Sequence, residues 1–390
     1  MISLEEARRI IAQAVPKLGT VAVPLAEARG RLLAEDVRAD AWYPSGDRAT
    51  MDGYVLRADA EPGEFKITGE IQAGAVPTED LAAGEAMRIF TGALVPESGG
   101  RVVPQEMTVR DGEIVRIAEL PKNPFIRLKG QEATPGTAVV VEGTRLGATE
   151  LAMLAQVGEV MPMVTRLPVI RHVATGEELV GPEEKPSAGM IRDTNSTLLA
   201  ALVAANGGAS LQSFRCGDDP AAMATICAEP CDLLLISGGA SVGDYDFGAR
   251  VLRDLGFEIH FGKVNLRPGK PLTFATRNGQ AAFVIPGNPV SHFVCFHVAI
   301  RLALELMAGE ERPWELVDLP LAGGEPVKPD ARETFWPARV EMEAGRLVVR
   351  PQRWSTSGDT FSLLRTNALV LVNQASPVEG VAKTLLLTAL

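Results

Sequence analysis

The chain opens on a helical pattern. Leu4, Ala7, Ile10, Ile11 and Ala14 recur at the three- and four-residue spacing that lines one helix face, up to Pro16. Ser3 ahead of them, with Glu6 three residues on, has the form of a capping box in which Ser3 caps and Glu6 reaches back. From 41 to 136 the pattern changes. Gly and Pro come every few residues, and apolar runs shorten to Phe65-Lys66-Ile67, Met87-Arg88-Ile89-Phe90 and Arg101-Val102-Val103. This predicts a β-rich block with many turns. A helix is expected again over 147–157, closed by Gly158.

From about 167 to 307 strand and helix patterns alternate. Strands are expected at 167–173, 209–214, 232–236, 257–261 and 281–285. Helices are expected at 194–205, 220–228 and 247–255, and a long one opens at Pro286-Gly287-Asn288-Pro289 and runs to about Ala308. Such alternation predicts a parallel, doubly wound α/β sheet. Residues 308–390 return to short strands and turns, a small β domain. Two β-rich blocks flanking an α/β block predict a modular, elongated subunit.

Composition narrows the class. The chain has 390 residues, 46% apolar and 22% charged, which is globular and excludes disorder or a short disulfide scaffold. At about 150 residues per domain it holds two or three domains. Lys and Arg number 38 against 49 Asp and Glu, a net charge of −11. No overall field then draws nucleic acid or an anionic membrane surface. Cys216, Cys227, Cys231 and Cys295 form no CxxC pair or ligand quartet and read as small buried hydrophobes. The acidic, helical N-terminus is unlike a signal peptide. No apolar run approaches the roughly 18–20 residues of a membrane span. A cytoplasmic protein without membrane or nucleic-acid partners is the expectation.

In open parallel sheets ligands bind beyond the carboxyl ends of the strands. Three segments follow expected strands there: Ala174-Thr175-Gly176-Glu177-Glu178, Ser237-Gly238-Gly239-Ala240-Ser241-Val242-Gly243-Asp244-Tyr245-Asp246, and Pro286-Gly287-Asn288-Pro289-Val290-Ser291. Glycine lets backbone N–H groups approach a ligand, and a helix start just beyond favours an anion. None is a Walker A or GxGxxG loop. Carboxylates gather at the same edge: Glu178, Asp218, Asp219, Asp244 and Asp246. With phosphate nearby they suit Mg²⁺, and helix capping stays equally open, since Asp218 or Asp219 precedes Pro220 and Asp246 precedes a helix. The segment from Phe261 to Pro271 carries Lys263, Arg267 and Lys270; Lys263, Asn265 and Arg267 alternate and share one face of an extended chain. These cations can bind an oxyanion or serve as a solvated loop. His172, His260, His292 and His297 show no metal spacing and read as structural, and no GxSxG elbow is present.

In these loops the chain resembles the molybdopterin molybdenumtransferases, the MoeA family that includes the gephyrin E domain. The resemblance rests on Ser237-Gly238-Gly239-Ala240-Ser241-Val242-Gly243, Arg267-Pro268-Gly269-Lys270-Pro271 and Pro286-Gly287-Asn288-Pro289-Val290-Ser291. Met51-Asp52-Gly53-Tyr54, Phe90-Thr91-Gly92-Ala93 with Val95-Pro96 and Gln105-Glu106, Thr175-Gly176-Glu177-Glu178-Leu179 and Arg192-Asp193-Thr194-Asn195 are similar to further family motifs, in order along nearly the whole chain. The resemblance implies insertion of molybdate into adenylylated molybdopterin, giving molybdenum cofactor and AMP, with Mg²⁺. It implies catalytic roles for Asp52, Thr91, Glu178, Asp218, Asp246, Lys263 and Arg267, with Asp218 and Asp246 as metal ligands. Substrate contacts fall to Gly238, Gly239, Ser241, Gly243, Lys270, Pro286, Gly287, Asn288, Pro289, Ser291 and Ser357.

The resemblance further implies four domains: a discontinuous helical one (1–40 with 137–166), a β-rich one (41–136), the α/β molybdopterin-binding one (167–307) and a C-terminal β domain (308–390). It implies a homodimer whose cleft takes Asp52 and Thr91 in trans, and a molybdopterin adenylyltransferase as a possible partner. The chain departs from the family at Arg48-Ala49-Thr50, Glu132, Glu177, Arg267 and Pro337, where Arg339 stands two residues on. The alternatives are a diverged pterin-binding or scaffold paralogue without catalysis, and a molybdopterin adenylyltransferase.

Overall fold

The computed structural model describes the chain except for residues 207–209, 240–246, 311–314, 324–326, 328–329, 374–379 and 388–390. It divides into two compact units. The first holds 1–22, 30–34 and 163–390, and the second holds 23–29 and 35–162.

In the first unit the expected N-terminal helix is Leu4–Ala14, with Leu4, Ala7 and Ile11 buried. The Glu6 N–H donates to Ser3 Oγ at 3.1 Å, as a cap should. The other half of the capping box is corrected: Glu6 turns to Arg9, 2.6 Å away, instead of reaching back. Fully buried side chains such as Ile11 each contribute about 2 kcal/mol through apolar burial.

The central sheet has six strands in the order Leu211–Cys216, Ile170–Thr175, Leu233–Ser237, Gln280–Ile285, Thr273–Arg277, Glu258–Phe261. The first four are parallel, in the register Thr175 with Cys216, Ala174 with Ser237, and Ser237 with Ile285. The last two are antiparallel, so the wholly parallel expectation gives way to a mixed sheet. The strand Thr273–Arg277 was not foreseen: it returns through the short turn at Asn278-Gly279 (φ +49° and +82°), which a parallel connection cannot use. Both faces are covered. Leu233 and Leu235 face a cluster with Leu199, Val203, Val298 and Ile11, while Leu234 and Ile236 face Met223, Cys227, Val251 and Leu252. That is why 233–236 is apolar without alternation.

The long expected helix is Pro289–Cys295, a π-helical turn Phe296–Ile300, and Arg301–Ala308. Arg8 donates to the Val298 carbonyl within that turn at 2.7 Å. The expectation that no apolar run reaches membrane-span length is corrected here. Pro289–Ala308 is long and apolar enough by length and composition, and 83% of its apolar window is buried. It is apolar all round because it packs inside this core.

A second six-stranded sheet closes the first unit: Leu266–Arg267, Glu333–Glu343, Ala368–Val372, Val381–Leu386 and Val317–Pro320 in order, with Arg346–Pro351 beside Glu333–Glu343. The basic segment is stitched into it, Leu266 opposite Glu333 and Arg267 opposite Thr334. The second unit carries a mostly antiparallel six-stranded sheet, as its short apolar runs predict, and the helix Ala148–Gln156. Gly158 follows that helix at φ +76°.

Candidate functional site

The four parallel strands end level with one another, so the residues after Thr175, Cys216, Ser237 and Ile285 share one edge. Gly238 sits at φ +88°, and a Cβ there would meet Thr175 Oγ1 at 2.6 Å and its carbonyl oxygen at 2.8 Å. Only glycine fits. A Cβ on Gly287 would lie 3.7 Å from Gly238 Cα, so the two glycine loops are near van der Waals contact.

Two cavities open on either side of this ridge. Gly238, Gly239, Gly287 and Asn288 line both. The first, about 800 Å³, adds Glu178, Asp193, Asp218 and Pro289, with Arg192 as the one cation against three carboxylates among the described residues. The second, about 590 Å³, adds Arg267, Lys270, Arg332, Pro286, Ser291 and Ser357. One side is therefore acidic and the other basic.

Asp218 and Asp219 separate in role. The Asp219 carboxylate accepts the Ala221 N–H at 2.9 Å and caps the helix Pro220–Ala228. Asp218 lines the acidic cavity, and among the described residues nothing pairs with its carboxylate. Its N–H donates to Glu177 Oε1 at 3.2 Å, so the Glu at 177 ties the two loops together.

On the basic side Arg267 donates to Asp330 at 2.8 Å and lies over the Trp354 ring at 5.4 Å. Hydrogen bonds from Arg332, and more weakly the Arg267 charge, hold the Asp330 carboxyl down at about 2. Asn288 Nδ2 donates to Ser357 Oγ at 2.7 Å, and the Val290 N–H donates to the Ser357 carbonyl at 3.0 Å. Ser357 thus reaches the Pro286-Gly287-Asn288 loop as expected.

Asp52 and Thr91 belong to the second unit, where they meet each other. Asp52 Oδ1 accepts from the Thr91 hydroxyl at 2.7 Å and from its N–H at 2.8 Å. The Thr91 hydroxyl first, then its N–H, holds the Asp52 carboxyl below its usual value.

Other expectations fare differently. Ser241, Gly243, Asp244 and Asp246 lie outside the described residues. Lys263 lines neither cavity: it is exposed, with buried Val264 and Leu266 alternating against it. Arg339 pairs with Glu341 at 3.4 Å and also lines neither cavity. Arg332 and Trp354, which line the basic cavity, were missed. Arg332 stands five residues before the departure at Pro337, where a search for basic residues on both sides of that position would have found it. Among the described residues no group of three His, Cys, Asp or Glu side chains is placed to hold a metal.

A doubly wound domain with glycine loops at its switch edge, joined to β-rich modules, defines a class of ligand-binding α/β proteins. Comparison with known families narrows it. Residues 2–158 match the MoeA N-terminal region (domain I and II), 171–305 a probable molybdopterin binding domain, and 323–380 the MoeA C-terminal region (domain IV). The molybdopterin molybdenumtransferase of Nostoc sp. is 34% identical over 95% of this chain and 90% of its own. That of Bacillus subtilis is 30% identical over the same shares. The crystal structure of the molybdopterin biosynthesis MoeA protein from Pyrococcus horikoshii superposes at TM-score 0.82, with 27% identity and 98% of each chain covered. The chain belongs to the MoeA family.

Proposed function

We propose that the chain inserts molybdate into adenylylated molybdopterin, releasing AMP and forming molybdenum cofactor, with Mg²⁺ as cofactor. A role in molybdenum cofactor biosynthesis follows from membership of the family. The adenylylated substrate, the release of AMP and the metal are the reading's own additions. One observation carries it: the same glycine ridge serves an acidic cavity on one side and a basic cavity on the other.

A phosphate-bearing substrate laid over that ridge would meet backbone N–H donors at Gly239 and Gly287, the Gly238 N–H being taken by the Ile285 carbonyl at 3.1 Å. Molybdate, as the second substrate, suits the basic cavity, where Arg267, Lys270 and Arg332 supply charge and Ser291 and Ser357 supply hydroxyls. Asp218, together with Asp246, would hold Mg²⁺. A donor set this small suits that ion, which keeps several waters and takes substrate phosphate oxygens as ligands. When bound, it neutralises charge on the phosphates. Asp52 and Thr91 would complete the site from the partner subunit of a homodimer. The reading places the protein in the cytoplasm.

Purified protein, adenylylated molybdopterin, molybdate and Mg²⁺ test it, with AMP followed over time. AMP release that needs both molybdate and Mg²⁺ is expected. Release without molybdate, or none at all, overturns the reading.

A further inference from the structure

Beneath the glycine ridge three side chains meet that no sequence spacing joins. His172 and His292 are fully buried, and Ser237, only 3% exposed, stands between them. Ser237 Oγ lies 2.5 Å from His172 Nε2 and 2.6 Å from His292 Nε2. Burial pushes His172 down to about 4 and His292 to about 3, so both rings are neutral.

The outer partners set the direction of the chain. His292 Nδ1 faces the Asn288 carbonyl at 3.3 Å, an acceptor only, so it carries the proton. Its Nε2 is then bare and accepts a hydrogen bond from the Ser237 hydroxyl. Ser237 Oγ in turn accepts from His172 Nε2–H. That leaves His172 Nδ1 bare, accepting from the Ser213 hydroxyl at 3.2 Å. Ser196, 3.4 Å from the same nitrogen, donates to Asp193 Oδ2 at 2.5 Å. Reversing the sequence would set a bare His292 nitrogen against a carbonyl. One direction satisfies all four ring nitrogens of His172 and His292.

This chain of bonds starts at the strand before the Gly176 loop, passes through the first residue of the Ser237-Gly238-Gly239 loop and ends on the Asn288 carbonyl. It bridges the elements that form the ridge. We infer that His172, Ser237 and His292 are positioning residues: they clasp the two glycine loops at a fixed spacing and so set how tightly the ridge holds its phosphate-bearing substrate. The clasp itself is a property of the fold; its effect on substrate rests on the proposed function.

Two arms keep these apart. In the first, ¹⁵N-histidine NMR of the whole protein should show His172 as the Nε2–H tautomer and His292 as the Nδ1–H tautomer. Ser237→Ala should then raise amide hydrogen exchange about tenfold in segments holding Gly238 and Gly287, with the C-terminal sheet unchanged. His292→Gln, which restores an acceptor for the Ser237 hydroxyl, should recover more protection than His292→Leu. Other tautomers, or exchange that rises equally everywhere, would overturn the clasp, the latter because it marks simple loss of stability.

In the second arm, AMP release by Ser237→Ala should lose more in KM than in kcat, since no member of the clasp touches reacting atoms. A loss confined to kcat overturns the positioning role. Absence of AMP release by the unaltered protein sinks the proposed function and leaves the exchange arm to judge the clasp.

Discussion

Asp218 and Asp219 are adjacent and chemically identical, yet the fold divides their work. The sequence allowed either to cap the helix at Pro220, and the structure gives that bond to Asp219. Asp219→Ala should therefore cost about 1 kcal/mol of stability, read by urea unfolding, and spare Mg²⁺ dependence. Asp218→Asn should do the reverse: stability holds, while Mg²⁺-dependent AMP release disappears. Equal behaviour of the two variants in both assays would remove the distinction. Gly238 gives a further expectation at this scale. Its φ of +88° and the approach of Thr175 leave no room for a Cβ. Gly238→Ala should destabilise by about 1–3 kcal/mol in urea and abolish AMP release; an unperturbed unfolding midpoint would contradict the geometry.

At the scale of elements, burial of the strand Ile170–Thr175 and of the helix through Ala308 creates a pH dependence. His172, at about 4, and His292 and His297, at about 3, are held down mainly by desolvation. Asp193 opposes this for His172 and His292, while His292 also feels His172 and His297 feels Arg301. The ordinary value is 6.5. Above it these rings are neutral folded and unfolded, and stability does not depend on them. Below it the unfolded chain takes up protons that the folded chain refuses. Stability then falls with pH, towards about 4 for His172 and about 3 for the other two, each ring adding a slope of up to about 1.4 kcal/mol per pH unit. Urea unfolding at pH 7.5, 6.5 and 5.5 measures the slope. His297→Leu should flatten it, because it removes a titrating ring; neither ring nitrogen meets a described hydrogen-bond partner, so the ring's edge contacts with Phe293 and Phe296 are what the variant gives up. An unchanged slope rules His297 out as a contributor.

Most of these elements were legible in the sequence, for a local reason. Helical spacing, Pro at a helix start and glycine after a strand act within a few residues. The return strand Thr273–Arg277 was not legible, because its pairing with Gln280–Ile285 is a choice between neighbours that both periodicities allow. Nor was the two-residue strand Leu266–Arg267, whose partner Glu333–Glu343 lies far along the chain.

At the scale of the whole molecule, the proposal assigns one site to two subunits. Asp52→Asn and Asp218→Asn chains should each be inactive alone. Unfolded and refolded together, they form mixed dimers in which one of two sites draws both intact carboxylates. About a quarter of wild-type AMP release should return. No recovery, with a dimer confirmed by sedimentation, would place Asp52 outside the partner's site.

By itself the sequence determined most of the order of elements, the glycine loops and the family, because each is written in short runs where backbone chemistry is local. Tertiary structure alone decided which side chains share a cavity. It took Lys263 out of the two cavities and put Arg332 and Trp354 into one of them. It set two separate histidines against one serine. The physical reason is that strand register and helix packing, not spacing along the chain, fix which groups lose water together, and loss of water sets their protonation and their partners.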